Sequence, residues 1–173
     1  MTTLRARIVL SLMLPALAAA QGQPSRGQIL AGGRDIIQKA GYCSFITAGE
    51  DGHPQARIVD PLGPDDNFTF WIATNPLTRK VGQIRRDPRV TLLCFDAASS
   101  SYATVLARAA IVTDAGEKAR HWKAAWTPFY SAGANGDDVV LIRLAPSRLE
   151  VVSVSRGLAP DAKTWLPLAV TFP

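Results

Sequence analysis

A mainly β fold with a few helices (α+β), closed as a small antiparallel barrel, is what this sequence predicts. Three observations carry that expectation. Seven segments rich in β-branched and aromatic residues follow one another at short spacing, divided by clusters of Gly, Pro, Asn and Asp. Only three stretches carry helical patterning, so strands and helices do not alternate as a doubly wound sheet requires. The length, 173 residues of which 47% are hydrophobic, suits one domain with a sizeable core.

The first residues stand apart from this pattern. Arg5 and Arg7 precede an apolar run from residue 8 to 20 that ends in Ala18-Ala19-Ala20 before Gln21. A basic start, a short apolar stretch and small residues at the cleavage position read as a secretory signal peptide over residues 1–20. The run is too short to cross a hydrocarbon core of about 30 Å comfortably. Residues 21–173 then form the single folded domain, exported to the periplasm or beyond, with no stable membrane insertion after cleavage. Losing the two arginines lowers the net charge from +5 to +3. That small excess does not suggest a nucleic-acid partner.

In the mature chain, residues 21–27 are polar and read as loose. A helix is expected over 29–40, with Ile29, Leu30, Ile36 and Ile37 as its apolar contacts and Gly41 as its stop. Gly32-Gly33 weakens that helix by about 1 kcal/mol per glycine. Strands are expected at 42–48 and 54–59 around the turn Glu50-Asp51-Gly52, then, after a turn region at 61–67, at 68–74. A helix over 77–86 stops before Pro88, and strands follow at 89–95 and 102–112. A helix from 116 to about 126 follows Asp114, which with Glu117 resembles a capping box, and it stops before Pro128. Its stripe of Ala119, Trp122, Trp126 and Phe129 reads as core-facing. Strands at 137–144 and 148–154 complete the set.

The chemistry-bearing residues are few. Phosphate-loop, dinucleotide, nucleophile-elbow and zinc-protease motifs are missing from the sequence. His53 and His121 show no ligand spacing with Cys43 and Cys94, which argues against a metal site. His53 falls in a turn, and His121 reads as an exposed helix residue. Cys43 and Cys94 both fall on expected strands. A secreted protein can pair them, but buried strand thiols are ordinary core residues, and the reading here is two buried thiols.

One stretch stands out: Thr74-Asn75-Pro76-Leu77-Thr78-Arg79-Lys80. It links a strand to a helix whose N-cap is expected at Asn75 and whose first residue is expected at Pro76. A helix N-terminus offers free N–H groups and a positive dipole end. Thr78 adds a hydroxyl, Arg79 and Lys80 add charge, and Arg57 reaches the same place if its strand pairs nearby. These are the parts of a phosphate-binding site, although a capped helix with solvated basic residues has the same signature.

The order Arg57-Ile58-Val59, Phe70-Trp71-Ile72-Ala73-Thr74-Asn75, Thr78-Arg79-Lys80, Asp87-Pro88-Arg89-Val90 resembles the pyridoxamine 5′-phosphate oxidase-like flavoproteins, in particular their general stress protein branch. Ala107-Arg108-Ala109, the segment from Trp122 to Phe129, Val140-Leu141-Ile142-Arg143-Leu144 and Thr164-Trp165 fit the same order, so the resemblance covers roughly residues 36–152. It implies a split β-barrel of the FMN-binding type, a homodimer with FMN at the subunit interface, and redox chemistry on a small-molecule substrate. It places the FMN phosphate at Arg57, Thr78, Arg79 and Lys80, and lays the ribityl chain and isoalloxazine along Ala73-Thr74. Two departures set the chain apart from the vitamin-producing oxidases. Asp60-Pro61-Leu62 stands where they carry a basic residue, and no Arg-x-His follows Arg156. The expected function is therefore an FMN-dependent oxidoreductase of unknown substrate. The alternatives are a flavin-binding stress protein without turnover, or a barrel that has changed its ligand to haem or a deazaflavin.

Overall fold

The computed structural model describes residues 23–173. The expected signal peptide lies outside the described residues. Helix α1 (Arg26–Ala40) is followed by strands β1 (Cys43–Ala48), β2 (Pro54–Val59) and β3 (Phe70–Thr74), helix α2 (Arg79–Arg86), strands β4 (Arg89–Asp96) and β5 (Ser101–Val112), helix α3 (Ala115–Arg120), and strands β6 (Val140–Val152) and β7 (Leu168–Thr171). The fold is mainly β with a few helices, as the sequence predicts.

The strands form one antiparallel sheet in the order β2-β1-β4-β5-β6-β3, with β7 also paired to β6. Alternate residues of β1, β4 and β5 point into a single core, where Phe45, Leu92, Ala103 and Val105 meet Ile36 and Ile37 of α1. The glycine pair in α1 has a packing purpose. A Cβ on Gly33 would stand 2.9 Å from Leu149 Cδ2 of β6, so the helix lies closer to the sheet than any side chain there allows.

Several expectations change. Helix α1 begins at Arg26 rather than 29, because Ser25 and Gln28 form a capping box that orders part of the polar segment. The two strands expected at 137–144 and 148–154 are the single strand β6. Pro146 does not break it, because the β5–β6 register shifts beside it at Leu106/Ala107, and Ser147 Oγ donates to Leu106 O at 3.1 Å. Strand β7 has no counterpart in the expected set. The expected helix from 116 to 126 is two pieces, α3 and a 3₁₀ turn at Ala124–Phe129. The break between them rotates the stripe. Trp126 is buried, but Ala119 and Phe129 face solvent while Lys118 turns inward and donates to the Gly136 and Val139 carbonyls.

His121 is not a free surface residue. Its ring stacks on Trp71 at 3.8 Å, with Nε2 3.4 Å from Glu117 Oε2. Cys43 and Cys94 are not two thiols but a disulfide. Antiparallel register sets them directly opposite each other on β1 and β4, with Cα atoms 4.4 Å apart. That is the narrow spacing of a non-hydrogen-bonded pair, about 4.5 Å, and it suits a disulfide.

Candidate functional site

The site grows from the end of β3. Thr74 closes that strand, and Asn75 begins a tight turn. Asn75 Oδ1 accepts from Leu77 N at 2.8 Å, and Asn75 O accepts from Thr78 N at 3.2 Å. This turn occupies the residues expected to open the helix, so α2 starts at Arg79 with Thr78 as N-cap instead of at Pro76 with Asn75. Thr78 makes no side-chain cap bond to its own helix. Its hydroxyl belongs to a chain instead: Lys80 Nζ donates to Thr74 Oγ1 (2.8 Å), Thr74 Oγ1 lies 3.2 Å from Thr78 Oγ1, and Thr78 donates to Asn75 O (2.9 Å).

Arg57 arrives from β2. Pairing with β1 sets it opposite Phe45, and its guanidinium donates to Thr47 Oγ1 at 2.6 Å and to Gln83 Oε1 at 3.0 Å. Thr47 and Gln83 are themselves buried and bonded to each other at 2.6 Å, and Gln83 Nε2 donates to Gln55 Oε1 at 2.7 Å. A network from β1, β2 and α2 therefore fixes the guanidinium before any ligand arrives.

Electrostatics show how close the charges lie. Desolvation, and then the charge of Arg57, push the Lys80 ammonium below the usual lysine range. Desolvation, and then the charge of Arg79, do the same to Arg57. Among the described residues, none of the three forms a salt bridge with a carboxylate. Three neighbouring cations, two of them partly buried and none neutralised, form an arrangement that an anion stabilises.

Lys80, Thr74, Ala73 and Thr78 line one side of a groove of about 390 Å³. Ile58 and Val59 of β2 and the aromatic segment Trp126, Phe129 and Tyr130 complete its walls. The volume falls within the range of small-molecule clefts, roughly 300–1,000 Å³. One end is cationic and the walls are apolar and aromatic. Asp60 also lines it, ion-paired with Lys123 and accepting from Trp126 Nε1 through its carbonyl at 3.2 Å. The Tyr130 hydroxyl is held above its ordinary pKa by desolvation and by the charge of Asp138, so it stays protonated.

Of the residues expected at the site, Ala73, Thr74, Thr78 and Lys80 line the groove, whereas Arg57 does not line it and lies near enough to Lys80 for its charge to be felt there. Arg79 is exposed and opens onto a neighbouring hollow that shares Thr78 in its wall. Sequence reasoning missed Thr47, Gln55 and Gln83, which hold Arg57. Gln83 alone left a signal, as a polar residue between Val81 and Ile84 on the buried face of α2. It also took the Trp126 segment as purely structural, whereas that segment forms a groove wall.

The family model described as pyridoxamine 5′-phosphate oxidase matches residues 33–153. A comparison with curated protein sequences found no match. Among solved structures, a protein from Clostridium acetobutylicum related to general stress protein 26 is 15% identical, with a TM-score of 0.71 over 86% of this chain and 97% of that one. General stress protein 26 from Bacillus anthracis is 20% identical, with a TM-score of 0.64 over 84% of this chain and 97% of that one. A heme binding protein from Mycobacterium smegmatis is 17% identical, with a TM-score of 0.64 over 86% of this chain and 59% of that one. At these identities the likeness establishes the split-barrel fold, and the family model, which spans well over half of the sequence, establishes the lineage. The chain belongs to the pyridoxamine 5′-phosphate oxidase family.

Proposed function

We propose that this chain binds FMN and acts as an FMN-dependent oxidoreductase on a small molecule. The observation that carries the reading is Lys80 at one end of an apolar, aromatic groove, with Arg57 close enough for its charge to act on it and Arg79 in the wall of the adjoining hollow, none of the three paired with a carboxylate among the described residues. Arg57 and Lys80 hold the phosphate by charge-assisted hydrogen bonds, with Thr78 as a neutral partner and Arg79 adding charge from the rim. Ala73 and Thr74, which line the groove at the end of β3, would hold the ribityl chain and ring. Trp126 and Val59, both buried, would exclude water from the ring. The flavin, once bound, supplies the two-electron redox chemistry, and the chain supplies position and field.

Haem is the competing ligand. The sequence holds two histidines, and neither His53 nor His121 lines the groove. This favours the flavin.

The chain acts as a homodimer in this reading, because Ile58 and Phe129 stand 67% and 79% exposed at the edge of the groove and need cover. Light scattering at micromolar concentration should report twice the mature mass, and a monomer that binds FMN tightly would refute the dimer. Export is supported by the Cys43–Cys94 disulfide, a feature of oxidising compartments. Intact mass of the exported protein should lack residues 1–20, and a full-length cytoplasmic species as the only product would overturn that. Titration with FMN tests binding, and anaerobic bleaching of the bound flavin by a reduced pyridine nucleotide tests turnover. FMN bound without bleaching by any donor would leave a non-catalytic flavin-binding stress protein in place of the enzyme.

A further inference from the structure

The groove is charged unevenly along its length. Two charged residues line it: Lys80, beside the junction of β3 and α2, and Asp60. Asp60 follows directly on β2, three residues and so about 10 Å beyond Arg57 in extended chain. The aromatic segment holds it twice. Its carboxylate pairs with Lys123, both side chains being partly buried, and its carbonyl accepts from Trp126 Nε1 at 3.2 Å. Asp60 lines the groove and Lys123 does not. A pair that only fastened the segment to β2 could stand either way round; this one turns its negative end to the groove.

Asp138 adds to the negative side. Its Oδ1 is buried and has no hydrogen-bond partner among the described residues. Desolvation, and then the charge of Asp138, hold the Tyr130 hydroxyl above its ordinary pKa, so this carboxylate stands close behind a residue of the groove wall. Tyr42, Ala125, Trp126 and Phe129 line the same part. Large rings of this kind pack well against a flat aromatic partner. An anion there would meet a carboxylate in a setting that is partly shielded from water, where like charges repel more strongly.

We propose that Asp60 is a specificity-determining residue: it keeps anions from the end of the groove away from Lys80, so that the small molecule taken there is an uncharged aromatic compound. The inference rests on the reading of the groove as a flavin site, with Lys80 engaged by the phosphate. Lys123 is the latent cation of this arrangement. While Asp60 covers it, that end of the groove offers an anion no partner.

The test uses FMN-loaded, oxidised protein and two probes with one ring system, uncharged naphthoquinone and its sulfonate, titrated by calorimetry at fixed ionic strength. The parent should bind naphthoquinone about tenfold or more tightly than the sulfonate. Asp60→Asn keeps the shape and uncovers Lys123, so the preference should move about tenfold toward the sulfonate, the scale of one charge-assisted hydrogen bond. Adding Lys123→Gln to Asp60→Asn removes both charges and should give back most of that shift. A shift that persists in the double variant would come from a loosened wall and would overturn the proposal. A parent that prefers the sulfonate, or a preference unmoved by Asp60→Asn, would overturn it too. If the FMN-loaded parent binds neither probe, the uncharged aromatic class is refuted and the flavin reading survives. Failure of FMN itself to bind would overturn the reading and the inference together.

Discussion

Replacing Lys80 by alanine should separate binding from stability. In the ligand-free chain, Lys80 Nζ makes one hydrogen bond, to Thr74 Oγ1 at 2.8 Å. Such a bond from a charged donor contributes roughly 1.5–3 kcal/mol. Against it stand the desolvation of the ammonium and its repulsion by Arg57, both of which already depress its pKa. Thr74 keeps Thr78 as a partner at 3.2 Å. These opposing effects leave a stability change within about 1 kcal/mol of zero. Binding behaves differently. A hydrogen bond from a cation to a phosphate is worth roughly 1.5–3 kcal/mol, so the FMN dissociation constant should rise about tenfold to a hundredfold. Arg57→Ala should match it in binding, and Thr78→Val should lose less because a neutral donor is removed. Riboflavin, which lacks the phosphate, should bind the parent weakly and respond to none of the three. Flavin fluorescence titration at fixed ionic strength, with thermal melts of the same samples, reads both quantities. Equal FMN affinities for parent, Arg57→Ala and Lys80→Ala would remove these residues from the site.

Three further outcomes are expected. Replacing Cys43 and Cys94 by serine should lower stability by about 4 kcal/mol or somewhat less, from loop entropy over a separation of 51 residues, and urea melts would show no change if the bridge were idle. Gly33→Ala should destabilise by about 1–3 kcal/mol despite its better helix propensity, because its Cβ would press on the fully buried Leu149, and a higher melting temperature would contradict the close approach of α1. The Arg89 guanidinium beside Asp87 draws that carboxyl from 3.8 down to about 2. A depressed carboxylate stabilises the fold above its unfolded pKa and loses that contribution as the pH falls through the folded one, so the stability gap between parent and Asp87→Asn should close between pH 3.8 and about 2. A gap unchanged across that window would exclude the pair.

Much of this molecule can be read from its sequence, and the limits are physical. Alternation and turn residues located β1, β2, β4 and β5 to within one or two residues, because each strand's burial pattern is written locally. Pro146 misled because the register shift that absorbs it depends on the facing strand. Pairing Cys43 with Cys94 required the β1–β4 register, which the local pattern does not contain. The cationic residues of the site announced themselves through composition at a strand–helix junction. Their anchors Thr47 and Gln83 did not, since a threonine and a glutamine become a socket for Arg57 only when three elements converge.

The most direct test of the account is the visible spectrum of the purified mature protein titrated with FMN. The expected result is a resolved flavin spectrum, red-shifted and structured by the apolar groove, saturating at one FMN per chain and released when inorganic phosphate or ionic strength is raised. A protein that ignores FMN but gives a sharp Soret band with haem would contradict the assignment of Arg57, Thr78, Arg79 and Lys80 to a flavin phosphate.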